Sequence, residues 1–420
     1  MDLEASELSI RHSMHQLGGV LMEKLINADK GDHRGTRIAC GAGHEAEFRE
    51  YRTKHVTTVL SEMGINRAYY YCSSCHRGIL PKDKDLDIEH TSFSPGVRRM
   101  MARVGAKESF EDGRRDLDEL AGVPVTAREV GRVAEAIGAQ VQTVADRERV
   151  HVMAGALIPL VPSVPILYIA MDGTGVPVVP AETAGRQGKR TAIAKTREAK
   201  LGAVFTQTTV DAKGLPIRDE ASTTYVGCIE TAEAFGPRLY AEAVKRGLHR
   251  AKKVIVLGDG AAWIRGMTEE YFPPATQILD LFHALEYLWD VGKLVYGPTG
   301  SALTLWFQRQ KAELKTGDVH KVMATLKRLK PHNSATREAI DKTLGYFETN
   351  INRMQYATWI KQGLFVGSGV IEAGCKMIVG QRLKQSGMRW TVRGANAIIA
   401  LRCCQISGRW EEFWENRAAG

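Results

Sequence analysis

Cysteine is scarce in this chain, with seven residues in 420, and the seven are unevenly spaced. That excludes the dense disulfide framework of a small secreted domain and points to a reducing compartment, the cytoplasm. Long uninterrupted apolar runs are lacking too. The longest, Ala154 to Ala170, is broken by Pro159, Pro162 and Pro165, which excludes it as a membrane span. The opening MDLEASELSI is neither basic nor followed by an apolar stretch, so no signal peptide is expected. Acidic residues vanish between Ala373 and Trp410, where Lys376, Arg382, Lys384, Arg389, Arg393, Arg402 and Arg409 are all basic. With a formal charge of +9 and a pI near 9.1, that run favours a polyanionic partner.

Three acids stand out by their placement. In Ile166 to Val179, ILYIAMDGTGVPVV, an apolar run ends in Asp172 and Gly-Thr-Gly follows. The pattern reads as a buried strand, an acid at its edge and a tight turn into a second strand. Lys253 to Leu257 is another buried strand, and it delivers Asp259 between Gly258 and Gly260. Glu372 lies in GSGVIEAGCK, at the start of a helix. One such acid alone is an ordinary turn residue. Two at the ends of neighbouring strands can hold a divalent cation, because magnesium takes oxygen ligands and a sheet fixes their separation.

The N-terminal third carries other signals. Leu8 to Ala28 places Met14, Leu17, Leu21 and Leu25 on one helical face, either packed on its own chain or used as a dimer contact. Cys40 and His44, then Cys72 and Cys75, flank a short run of strands, the outline of a zinc ribbon. The fourth ligand is either His44 or His76, and the alternative is unliganded thiols. From Ser94 to Val150 the pattern is helical, with a turn at Gly122 to Val125 and a capping box from Thr126 to Glu129. That is the outline of a helix-turn-helix, and equally of any three-helix bundle. If it meets DNA, Arg128 and Arg132 at the start of the second helix are the residues to do so.

Beyond Asp172, the stretch from Gly185 to Lys200 is strongly basic, with Lys189 and Arg190 suited to guide a phosphate backbone. Leu201 to Val210 and Ala221 to Val226 read as strands, Thr231 to Gly247 as a helix, and Thr276 to Leu281 as a fifth strand leading into His283. Tyr287 to Leu364 has helical patterning and few strand signals. Lys376 lies one turn after Glu372 on the same face, as a backbone contact or a simple ion-pair partner. Trp390 either stacks on an exposed base or belongs to the core.

Asp172, Asp259 and Glu372, in this order and followed by GQRLKQSGMRWT, resemble the DDE transposases of bacterial insertion sequences, most closely the ISKra family. The likeness runs from RAYYYCSSC to the C-terminal basic run. It implies an α/β RNase H-like core, a mixed five-stranded sheet with helices, interrupted by an all-helical insertion. A zinc-ribbon-like region and a helical, helix-turn-helix-like region come before that core. The expected segments are 1–30, an N-terminal helix; 31–92, the ribbon; 93–155, helical and DNA-binding; 156–284, the first part of the core; 285–366, the insertion; and 367–420, the rest of the core with the basic tail. The resemblance also implies two magnesium or manganese ions on the three acids and one structural zinc. Double-stranded DNA is the expected partner, both terminal inverted repeats and target. A homodimer or higher oligomer on DNA and a place at the bacterial nucleoid are likewise implied. Related transposases of the Mutator-like type carry an Asp or Cys followed two residues later by His at this point, so His283 is either a DNA contact near the scissile phosphate or a buried, satisfied histidine. Arg382, Lys384 and Arg389 become candidate DNA contacts. The alternative, from another class, is a repressor-like DNA-binding protein of transposase origin whose acids are vestigial. A zinc-dependent hydrolase is disfavoured, since no His-rich open site accompanies Asp172.

Overall fold

Asp2 caps the first helix, α1 (Leu3–Ala28), by accepting the Ala5 amide. In the computed structural model, residues 2–156, 161–188 and 194–418 are described. After α1 come β1 (Arg37–Ala39), β2 (Glu45–Thr57), β3 (Glu62–Cys72) and β4 (Arg77–Ile79), an antiparallel sheet in that order. Its two small cores lie at opposite ends of the long β2–β3 hairpin. One gathers Ala46, Ala68, Tyr70 and Cys72; the other gathers Val56, Met63, Ile65 and Ile88, with Met22 and Ile26 of α1 packed against it.

Four helices follow: α2 (Pro81–Asp85), α3 (Pro95–Lys107), α4 (Phe110–Ala121) and α5 (Ala127–Met153). Ser94 and Ser109 cap α3 and α4, and Gly122 ends α4 in the left-handed region at φ 66°. The capping box of α5 is formed in both directions. Thr126 Oγ1 accepts the Glu129 amide at 3.2 Å, and the Glu129 carboxylate accepts the Thr126 amide at 2.8 Å. The helices approach closely where a side chain is missing: a Cβ on Gly105 would lie 2.7 Å from Ala134. The chain divides into two compact units, Met1–Gly138 and Ala139–Gly420, and the division falls within α5.

The second unit is built on β5 (Ile166–Pro177), β6 (Thr196–Gln207), the short pair β7 (Thr209–Val210) and β8 (Pro216–Ile217), β9 (Thr224–Cys228), α6 (Ala232–Lys245), β10 (Lys253–Gly258), α7 (Ala262–Tyr271) and β11 (Thr276–Leu279). Five of these strands make one mixed sheet in the order β11-β10-β5-β6-β9. β5, β6 and β9 pair antiparallel, while β10 runs parallel to both β5 and β11. Side chains alternate along β5. Leu167, Ile169 and Met171 enter the core with Phe235 and Leu239 of α6 and Ile264 and Met267 of α7. Tyr168 and Asp172 therefore face the other side, where Tyr168 stacks on Phe205 and meets Phe365 edge-on.

Here the structure corrects the sequence reading. No turn occurs at Gly173 to Gly175. β5 runs straight through Asp172, paired with Leu201, and on to Pro177, paired with Thr196. The glycines serve close strand packing instead: a Cβ on Gly173 would sit 2.7 Å from the Glu198 carboxylate.

The rest of the unit is helical: α8 (Leu281–Tyr296), α9 (Ser301–Lys315), α10 (Val319–Arg328), α11 (Ser334–Asn350), α12 (Tyr356–Lys361), α13 (Gly369–Gly374), a π-helical turn over Cys375–Gly380, α14 (Gln381–Leu383), α15 (Val392–Ile406) and α16 (Trp410–Ala418). α13 and the π turn pack on β5 and β6, and α15 packs on β9, so the C-terminal helices cover the Asp172 face of the sheet.

Candidate active site and candidate metal centre

The parallel register sets the two aspartates side by side. Leu257 of β10 pairs with Ala170 of β5. Carried two residues further, the same register puts Asp259 opposite Asp172, just where β10 has ended and β5 continues. Each acid is anchored by one oxygen to a nearby amide: Asp172 Oδ1 accepts from Gly173 at 2.6 Å, and Asp259 Oδ1 accepts from Ala261 at 2.8 Å. Gly260 makes the turn after Asp259 possible. It adopts φ 86°, and a Cβ there would meet Leu279 at 2.8 Å and Tyr346 at 3.1 Å. The helical segment reaches this loop through the Tyr346 hydroxyl of α11, which donates to the Asp259 carbonyl at 2.6 Å.

α13 and the π turn bring the remaining groups. Cys375 donates its thiol to Asp172 Oδ2 at 3.3 Å. Ser368, just before α13, lies 2.5 Å from Asp280 Oδ2 and 3.0 Å from Glu372 Oε1. A hydroxyl has one hydrogen to give, and the shorter contact takes it. The Glu372 oxygen is then an acceptor facing another acceptor. Asp280 is fully buried; it accepts the Phe282 amide at 2.9 Å and pairs with His283 at 3.4 Å. A chain of contacts thus runs from His283 through Asp280 and Ser368 to Glu372.

The electrostatics follow from this packing. Burial raises the Asp172 carboxyl above its usual range, and the nearby Asp259 charge adds to the effect against the Cys375 and Gly173 hydrogen bonds. Burial also opposes the ionisation of Asp280, but His283, Ser368 and the Phe282 amide outweigh it and hold that carboxyl below normal. His283 is pulled up to about 9, first by its contact with Asp280 and further by the charges of Asp259, Asp280 and Glu286. At neutral pH it is a cation beside the acids.

The metal-ligand set of the first unit is gathered more tightly. Donor atoms of Cys40, His44, Cys72 and Cys75 all lie within 4.8 Å of one another, a set able to hold a metal ion such as zinc. His44 Nδ1 is 3.0 Å from Cys75 Sγ, whereas His76 turns to the Tyr71 hydroxyl at 3.3 Å. The geometry therefore selects His44 over His76. Hydrogen bonding, first from the Ala42 amide, lowers the Cys40 thiol to about 7, while the neighbouring thiols push Cys75 up to about 11. Asp172, Asp259 and Glu372 do not form such a group among the described residues; the Glu372 carboxylate lies beside the Ser368 hydroxyl.

Residues 240–417 match an uncharacterised protein family, UPF0236. The UPF0236 match covers less than half of the chain. It spans Asp259, Asp280, His283 and Glu372 but neither Asp172 nor the Cys/His set, and it assigns no activity. No curated protein matches the sequence significantly.

The basic candidates separate into surface and interior. Arg128 and Arg132 are exposed on the first turns of α5, and Lys376 and Arg389 are exposed as well. Lys384 is exposed and donates to Thr174 at 2.6 Å, two residues past Asp172. Lys189 and Arg190 lie outside the described residues. Arg382 and Trp390, by contrast, are core residues and not DNA contacts. Arg382 is fully buried, its guanidinium 4.9 Å from the Trp390 ring. Trp390 donates its indole to the Leu383 carbonyl at 3.1 Å and is hydrogen-bonded to the end of β5 through Pro177 and Val179. Arg402 is likewise buried and binds the Met377 carbonyl, while half-buried Arg409 is tied down in a bidentate pair with buried Glu242, the shorter contact 2.6 Å. The Glu372–Lys376 geometry also differs from an α-helical pair. The chain widens into the π turn at Cys375, and no ion pair joins the two among the described residues.

Sequence reasoning named the three acids but missed Ser368 and Cys375, four residues before and three after Glu372. That helical spacing was the available signal.

Proposed function

We propose that the chain is a DDE transposase of the bacterial insertion-sequence type, with an RNase H-like core, that cleaves the ends of its element and joins the freed 3'-hydroxyls to target DNA. One observation carries the reading: the β5–β10 register sets Asp172 against Asp259 where β10 stops, and the helix bearing Glu372 packs over the same face through Cys375. The strand order supports it, with three antiparallel strands in series, a helix, and a fourth strand beside the first.

By chemical type, though not by their spacing here, the three acids suit two magnesium or manganese ions. All three residues offer carboxylate oxygens, Asp172 is partly buried against a like charge, and the Glu372 oxygen facing Ser368 has no hydrogen of its own to accept there. Such ions, when bound, activate a hydroxyl nucleophile and stabilise in-line displacement at a phosphodiester. The chain's own groups orient the DNA. Protonated His283 presents a positive charge beside the acids, and Lys384 is fixed at Thr174. Lys376 and Arg389 offer exposed charge to the phosphate backbone. In the first unit Cys40, His44, Cys72 and Cys75 would hold a structural zinc, and Arg128 and Arg132 would approach the terminal repeats.

The repressor-like reading has an observation on its side, since Cys375 and Ser368 already contact two of the acids within the protein. A labelled duplex carrying the element's own end separates the two. With magnesium or manganese, cutting by wild type but not by Asp172→Asn or Glu372→Gln, with binding retained by all three, is the expected result. Binding without cutting by wild type would favour the repressor. Neither binding nor cutting would overturn both.

A further inference from the structure

Helix α1 shows two unlike faces. Gly19, Met22, Glu23, Ile26 and Asn27 are turned to the ribbon sheet: Gly64 donates to Glu23, Asn27 exchanges hydrogen bonds with Gly64 and Asn66, and Met22 and Ile26 pack on the second small core. On the other side Leu3, Ile10, Met14, Leu17, Leu21 and Leu25 keep 54–73% of their surface in solvent. A contiguous apolar stripe of this kind on a monomer marks an interaction site.

Its spacing and its charges say what covers it. Leu3, Glu7, Ile10, Met14, Leu17, Leu21, Lys24 and Ala28 alternate steps of four and three, the repeat of a coiled-coil seam. Only two of these positions are charged, and they carry opposite signs near opposite ends. In an antiparallel pair of α1 helices, centred between Met14 and Leu17, each seam residue meets its counterpart on the second copy. Ile10 lies on Leu21, Met14 on Leu17, Leu3 on Ala28 and Glu7 on Lys24. A parallel pair would instead set Glu7 on Glu7 and Lys24 on Lys24. Neither Glu7 nor Lys24 has an ion-pair partner among the described residues, and both are exposed.

We infer that α1 is a homodimerisation element, forming an antiparallel two-stranded coiled coil with a second copy of this chain, its orientation set by reciprocal Glu7–Lys24 pairs. A charged seam position costs stability and fixes register, the role that a lone polar residue plays in other coiled coils. The inference is independent of the catalytic reading.

Sedimentation equilibrium of the full chain tests it. Wild type sediments as a dimer, and Leu17→Asp as a folded monomer, because that seam is solvent-exposed in a single copy; far-ultraviolet circular dichroism checks the fold. Glu7→Lys alone weakens association by about tenfold or more, since both ends of the seam become repulsive. Glu7→Lys combined with Lys24→Glu restores it. A wild type that stays monomeric at every concentration, or a dimer indifferent to Leu17→Asp, would overturn the proposal. Equal association of the single and double charge variants would overturn the antiparallel arrangement.

Discussion

Individual residues in the second unit divide into those that a ligand can reach and those that hold the fold, and charge does not tell them apart. Arg382 and Lys384 are two positions apart in one basic run, yet the first is sealed beneath Trp390 and the second reaches Thr174 at the surface. Arg382→Ala is expected to cost about 3 kcal/mol of stability in a denaturant titration, with DNA affinity per folded molecule unchanged. Lys384→Ala should leave stability nearly intact, weaken binding to all duplexes alike and lower the salt-dependence slope by about 1. The His283–Asp280 pair gives a pH signature. His283 is raised to about 9, so its contribution to stability is complete below its unfolded value of about 6.5 and is lost as pH climbs through about 9. Asp280→Asn should return the imidazole toward its ordinary value in an NMR titration and shrink that loss of stability on the alkaline side, leaving what Asp259 and Glu286 contribute.

Among the elements, helix starts were the most legible part of the sequence. Ser94-Pro95 and Thr126 with Glu129 announce α3 and α5, because side-chain oxygens satisfy amides that the first turn leaves unpaired. Thr126→Ala is expected to cost about 1 kcal/mol, read from the shift in the urea midpoint. Strand ends were less legible. Gly-Thr-Gly after Asp172 has the composition of a turn, yet β6 extends far enough to pair β5 through it, and only the neighbouring strand β10 stops. Gly260 does form the turn that its type suggests. Gly260→Ala should cost about 1–3 kcal/mol by forcing a Cβ onto Leu279 at φ 86°, and should impair any function of Asp259 more than stability alone explains.

For the molecule as a whole, the two small cores of the ribbon sheet and the extended core under the five-stranded sheet imply different dependence on metal. Chelation, or Cys72→Ser, should unfold the ribbon sheet while leaving the sheet of the second unit protected from hydrogen exchange, a pattern read by NMR. No helix among the described residues is long and apolar enough to cross a membrane. The sequence by itself determined the α/β pattern of the second unit, the capped helices, the Cys/His ligand set and the three acids. These are local facts, set by periodicity, by capping chemistry and by residue type. Only the tertiary structure decided which histidine faces the thiols, that Asp172 lies within a strand, that Ser368 and Cys375 attend the acids, and which arginines are interior. Each of these depends on contacts between segments far apart in the chain. A charged side chain carries no local mark of whether a distant helix will cover it.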